Sequence, residues 1–340
     1  MNKTKIEWAD AVWNPVTGCT KVSEGCRNCY AEGIAKRFWG ERKFTDVLCH
    51  EDRLDDPLHW KKPRRVFVNS MSDLFHPDVP FEFIDRVVYN AAKAWVLNKS
   101  AFMILTKRPA RMLEWSQWSK MVKMPLMGIW LGVSVEDQKV ADERIPLLLQ
   151  TPAEVRFISC EPLLGRVDLV KCFEPTDWDW SELNDADDER EPEEFVEECE
   201  AECDWINYGH NLVENPEYRD YLEHRKRRAK VVAMGNALDW VICGGESGPG
   251  ARPMHPDWAR SLRDQCQTAG VPFFFKQKGE WQLTSEREYM ELEGNEKLIS
   301  MDIPGAIGYQ KAWFRRVGKK NAGRVLDGRT WDEYPQEVEG

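Results

Sequence analysis

Six short apolar runs recur along the chain, and each ends in small or polar residues. They lie at 65–68 (RVFV), 102–105 (FMIL), 128–133 (GIWLGV), 155–158 (VRFI), 240–243 (WVIC) and 271–275 (VPFFF). They lead into NSMSD, TKR, SVE, SCEP, GGES and KQK, and helical patterns over 81–97, 141–149 and 257–269 fall between them. Runs this short suit strands, and strands alternating with helices call for crossover connections. The expected fold is therefore α/β, a partial parallel (β/α)6-type barrel of TIM-like kind. Such folds place their sites at the C-terminal ends of the strands, and here every one of those ends is polar. The rhythm assigns 1–170 and 237–281 to the barrel. It leaves 171–236 as a charged insertion and 282–340 as a C-terminal extension packing on the barrel.

Charge is unevenly placed. The 340-residue chain carries a net −11, but residues 171–204 hold 16 acidic and 2 basic residues, so the remainder is +3. The insertion ends in a basic run, HRKRR, at 224–228. A slightly basic body is compatible with a polyanionic partner without demanding one. No stretch approaches the roughly 20 apolar residues of a membrane span, and the first ten residues, MNKTKIEWAD, lack an apolar signal region. The expectation is a cytoplasmic protein with no membrane partner. In that reducing compartment ten cysteines point to metal chemistry and buried thiols before disulfides.

Three of those cysteines, Cys19, Cys26 and Cys29, stand within eleven residues in GCTKVSEGCRNCYAE. Closely spaced thiolates on a loop can hold a soft metal or a cluster. The segment offers no fourth thiolate, so a four-iron cluster held there would keep one iron open. A structural zinc site would need a fourth ligand, from Cys49, His50 or the insertion. Gly18 and Gly25 precede two of the cysteines and free the backbone for a wrapped loop. Tyr30 follows at once and is placed to cover the cluster face. Cys199 and Cys203, with Cys172 near in sequence, form a separate C-x3-C on the acidic insertion.

The C-x2-C-Y-A ending resembles the radical S-adenosylmethionine enzymes, in the branch that contains spore photoproduct lyase. The usual motif of those enzymes is C-x3-C-x2-C, so the six-residue first gap here is a departure. The chain is more similar still to a three-cysteine family from phages and prophages. The matching stretches are WNPVTGC, GCRNCYAE, VFVNSMSDLFHP, LTKRPARM, WLGVSVE, RFISCEPLLG, DWVICGGESGPGARPM, FFFKQKGEW and GRVLDGRTWDEYP, nearly end to end.

The resemblance implies a [4Fe–4S] cluster on Cys19, Cys26 and Cys29, with S-adenosyl-L-methionine chelating the fourth iron. One electron into the cluster would then give a 5′-deoxyadenosyl radical that takes a hydrogen atom from substrate. It places Ser70, Ser72 and Asp73 around the amino group of S-adenosylmethionine, a role their chemistry suits. Thr106 and Lys107 end the next strand, where a lysine can meet a carboxylate or phosphate. Ser134 and Glu136 are candidates for ribose or substrate contacts. Cys160 is a candidate hydrogen-atom donor, as a cysteine is in spore photoproduct lyase, and a buried inert thiol is the reading weighed against it.

Gly244 and Gly245 open a glycine-rich loop that lacks the G-K-[ST] ending of a phosphate loop. It is similar to the GGE motif of radical enzymes, and Glu246 and Arg252 are read as facing cofactor or substrate. Lys276 and Gln277 complete the set.

The expected substrate is a nucleobase or nucleotide, such as a thymine-derived base in phage DNA, with modification or isomerisation as the reaction. The implied partner is a reductase or flavodoxin-type electron donor. Some of the sixteen tryptophans could stack on bases at the mouth. The rival reading is a zinc- or cluster-stabilised nucleic-acid-binding protein without catalysis. A third, a degenerate barrel serving as an interaction module, is at odds with six polar strand ends, which cost stability in a closed core.

Overall fold

The computed structural model describes residues 4, 6–122, 127–173, 237–292, 298–303 and 310–335. The expectations for the insertion, Cys199 and Cys203 lie outside these residues. Seven strands run parallel and pair in chain order. They are β1 (Ala11–Trp13), β4 (Arg65–Val68), β5 (Ala101–Thr106), β6 (Ile129–Ser134), β7 (Val155–Cys160), β8 (Trp240–Gly244) and β9 (Phe273–Gln277). Together they form a curled half-barrel in a mixed α/β fold. All six apolar runs are strands of this sheet. The seventh, β1, is three residues long and carries no run of its own.

Five helices follow the strand ends. They are α1 (Tyr30–Phe38), α2 (Phe81–Asn98), α3 (Pro109–Trp118), α4 (Gln138–Leu149) and α5 (Pro256–Ala269). Their boundaries have local causes. Asp137 caps α4 by accepting the Val140 amide at 3.0 Å, and Gly270 closes α5 at φ +70°. In α2 the apolar residues Phe83, Ile84, Val87, Val88, Ala91 and Ala94 recur at helical spacing and all are buried.

The sheet's side chains alternate between two cores. Val66, Val68, Phe102, Ile104, Ile129, Leu131, Ile158, Val241 and Phe273 join the helices in the outer core. Phe67, Met103, Trp130, Phe157, Trp240 and Phe274 point the other way and fill the concave face with one another and Trp8. Trp240 is the centre of this floor, with the rings of Trp130, Phe157 and Phe274 5.7–6.2 Å away. Period-two alternation then puts the next inward positions, Lys107, Ser134, Glu161 and Lys276, above the aromatic floor toward the strand C-termini.

Between β1 and α1 two short strands, β2 (Val16–Thr17) and β3 (Leu48–Cys49), pair antiparallel beside the cysteine segment. Past the half-barrel, β10 (Trp281–Thr284), β11 (Leu298–Ile303) and β12 (Gln310–Arg316) form a small antiparallel sheet in the order β10-β12-β11. Two short helices, α6 (Glu286–Leu292) and α7 (Lys319–Ala322), accompany it. The chain then returns to β9. Phe275 N donates to the Trp331 carbonyl, Trp240 Nε1 donates to the Glu333 carbonyl, and the Tyr334 ring packs 5.3 Å from Trp240. Among the described residues no helix is long and apolar enough to cross a membrane.

Candidate functional site

The cysteine segment lies across the mouth of the half-barrel and is tied to four strand ends. After β4, Gly18 N donates to Met71 O at 3.0 Å and pairs in parallel with Ser72. After β5, Arg108 Nη2 donates to the Thr20 carbonyl and hydroxyl, both at 2.9 Å. Beyond β6, the buried Glu136 accepts from Ser23 Oγ at 2.8 Å. Beyond β8, Glu246 and Gly250 O accept from Asn28 Nδ2 at 3.0 and 2.7 Å, and Arg252 Nη2 donates to Glu24 O at 2.9 Å. Residues separated by up to 228 positions thus hold a segment with little core of its own.

Two charge pairs anchor these ties. Arg108 Nη1 lies 3.0 Å from Asp73 Oδ2 and 3.6 Å from the Cys19 thiol. Arg252 grips Glu246 through Nε at 2.8 Å and Nη2 at 2.7 Å, while its own amide donates to the same carboxylate. Burial alone would raise the pKa of Glu246. The Arg252 bonds and Asn28 outweigh it and hold the carboxyl below the ordinary 4.5.

All three thiols lie on this loop and are partly buried. Burial and the neighbouring Asp73 push the Cys19 thiol up to about 11, Arg108 opposes, and Cys26 is close enough to contribute. At neutral pH this free thiol is protonated, a poor nucleophile that a metal would have to deprotonate. Tyr30, next after Cys29, donates its hydroxyl to the Ser70 carbonyl at 2.6 Å while part of its ring faces solvent.

The other described cysteines lie elsewhere. Cys49 packs against the outer core, Cys160, Cys243 and Cys266 are buried, and Cys172 sits near Asp142 and Asp168. His50 is engaged by the Thr17 hydroxyl at 2.7 Å. Among the described residues no three His, Cys, Asp or Glu side chains converge as a single metal ion requires.

Several residues read from the sequence as contacts for a cofactor are committed to the protein itself. Asp73 accepts from Thr106 Oγ1 (2.7 Å), Phe75 N (3.0 Å), Lys107 N (3.1 Å) and Arg108 Nη1, so its lone pairs are taken. Ser72 donates to Val16 O and Ser70 to Asn14 Oδ1. Glu136 pairs with Arg144 at 3.2 Å beneath the loop. A Cβ at Gly245 would run into the Lys278 carbonyl, and Gly244 O accepts from Leu163 N. Glu246 and Arg252 clamp the cysteine loop.

Cys160 requires a correction as a hydrogen-atom donor. It is fully buried in the outer core beside Cys243 and Cys266, on the side of the sheet opposite the mouth. Its inward neighbour is Glu161.

Several strand-end residues do present polar groups inward. Lys107 Nζ donates to Ser134 Oγ at 2.9 Å, and Lys276 Nζ meets Glu161 Oε2 at 2.9 Å, with Gln277 Nε2 3.4 Å from Glu161 Oε1. Asn69, at the end of β4, takes φ +60° and accepts from Val16 N, while its buried Nδ2 has no partner among the described residues. Glu161 and Asn69 were not singled out from the sequence, although strand parity marks Glu161 as inward.

Gly25 is a sensitive point. A Cβ there would run into the Glu136 carboxylate. Gly25→Ala is expected to lower unfolding stability by about 2 kcal/mol, the scale of overpacking. Thermal unfolding checks it.

The chain belongs to the family described as a protein of unknown function (DUF5131), whose model it matches over residues 3–335. No curated protein and no solved structure matches it.

Proposed function

Membership of a family without an assigned activity leaves the chemistry to these residues, and we propose that the chain is a radical S-adenosylmethionine enzyme acting on a nucleobase or nucleotide. One observation carries the reading. Three thiols share one loop over the mouth of a parallel half-barrel, four strand ends fix that loop, and the other described cysteines lie apart from it. The donor set fits a [4Fe–4S] cluster held by Cys19, Cys26 and Cys29. With S-adenosylmethionine bound, that cluster supplies one-electron chemistry ending in hydrogen abstraction.

The chain's own residues orient and enclose. Asn69 Nδ2, which has no partner among the described residues, and Lys107, which holds Ser134, are the inward donors suited to the carboxylate of S-adenosylmethionine. Glu161 is the inward carboxylate suited to its ammonium, in place of the saturated Asp73. The aromatic floor centred on Trp240 closes the far end of the half-barrel to water. A nucleobase substrate accords with the slightly basic body, and a flavodoxin-type reductase is the donor this chemistry needs.

Anaerobic reconstitution followed by dithionite and S-adenosylmethionine tests the reading, with 5′-deoxyadenosine measured by chromatography. Its appearance with the wild type and loss in Cys29→Ala is the expected result. Folded, colourless protein carrying zinc would overturn it in favour of a nucleic-acid-binding role.

A further inference from the structure

A cavity of about 420 Å3 lies beside the segment leading to Cys19, lined by Asn14, Thr17, Trp39, Arg42, Arg53 and Met71. It holds two guanidinium groups and no carboxylate. Arg42 Nη2 is committed to Thr17 O, Thr17 Oγ1 and Asp46 O at 2.7–2.9 Å. Its Nε is buried with no acceptor among the described residues. Arg53 gives one bond, from Nη1 to Asn14 O at 3.1 Å. Neither arginine has an ion pair among the described residues.

The Arg42 guanidinium lies 4.1 Å from the Trp39 ring, which fixes its plane. Burial lowers the pKa of Arg42, and Arg53 lowers it further against the pull of Asp46, so the two cations feel each other. Two like charges lining one small cavity, with no carboxylate between them, are stable when an anion sits there. A tetrahedral oxyanion matches two arginine forks better than a single carboxylate does.

The cavity also adjoins the mouth. Thr17 is two residues from Cys19. Asn14 Oδ1 accepts from Ser70 Oγ and Met71 N, both at 3.2 Å, in the turn whose Ser70 carbonyl receives Tyr30. We propose that this cavity binds a phosphate group, that of a polynucleotide backbone whose base is offered at the mouth. The phosphate site stands on its own geometry; the polynucleotide as its owner rests on the proposed function.

The test is fluorescence anisotropy with a labelled oligothymidylate, competed by inorganic phosphate, on the full chain without added S-adenosylmethionine or reductant. Arg53→Gln is the main variant, with unchanged circular dichroism required. Arg42→Lys serves as a second variant that keeps the charge and removes the fork. The wild type should bind the oligonucleotide and release it to phosphate. Arg53→Gln should weaken both ligands about tenfold, the loss of one charge-assisted contact, and lower the salt slope by about one. Unchanged affinities in folded Arg53→Gln, or no binding of either probe by the wild type, would overturn the site. Weakened phosphate binding with unchanged oligonucleotide binding would overturn the polynucleotide and leave a free phosphate or mononucleotide as the ligand. Neither arm needs the cluster to turn over, so failure here is distinct from failure to form 5′-deoxyadenosine.

Discussion

Cys26→Ala is expected to leave the protein folded and, under the proposed cluster assignment, to strip it of iron. Cys26 ends a single turn, Glu24–Cys26, and its amide bonds to Ser23 O at 3.0 Å. Its side chain is only partly buried and belongs to neither core. Removing the sulfur opens no cavity, so unfolding stability should move by no more than about 0.5 kcal/mol. The proposed cluster, in contrast, would lose one of its three protein ligands. Iron and sulfide after anaerobic reconstitution should fall to background, and 5′-deoxyadenosine with them. Cys49→Ala, at a thiol packed against the outer core, is the matched control and should load normally. Full iron content in Cys26→Ala would end the cluster assignment.

Arg252→Met should act at a distance from the thiols and still empty the site. Glu246 is buried, with 5% of its side chain exposed, and Arg252 supplies most of its hydrogen bonds. Removing the arginine strands that charge, at a cost of about 3 kcal/mol, the low end for breaking a buried pair because Arg252 is itself 22% exposed. It also frees Glu24, so the turn before Cys26 loses a tether. Lower melting temperature and lower iron content should therefore appear together.

The pH dependence follows from the sign of the shift. The Glu246 carboxyl is held below 4.5, so its contribution is complete above that pH and is lost as pH falls through the folded value. In the variant the carboxyl has no such partner, so the gap between variant and wild type should narrow on acidification. Glu246→Gln added to Arg252→Met should recover much of the stability without restoring iron. Recovery of both would reduce the pair to a fold element with no part in placing the loop.

The fold was legible where hydrophobicity spoke locally. The runs at 65–68, 102–105 and 155–158 became strands because a buried parallel sheet requires apolar residues on both faces. β1 escaped because three residues give no period to read. The site was legible as a set of strand ends, but not as a set of roles. Asp73 had the right chemistry for an ammonium. Its saturation by Thr106, Lys107 and Arg108 comes from pairing with the adjacent β5, 33 to 35 residues onward, which no local pattern reveals. Cys160 differs, because the information was present. Phe157 faces inward, so alternation already turned Cys160 outward and Glu161 inward. The same count from Met103 marks Lys107, and from Phe274 it marks Lys276.

The return of residues 331–334 to β9 bears on how the protein is made. Trp240 and Phe274 are covered by Tyr334, and the Trp240 indole is satisfied by Glu333, more than ninety residues downstream. On a ribosome the strands emerge in the order in which they pair, so the sheet can assemble as it is synthesised. Its aromatic floor cannot be sealed until the closing segment has cleared the tunnel. Until then a wide hydrophobic surface stays open to chaperones and to neighbouring nascent chains, and that late interval is when this fold is most exposed to aggregation.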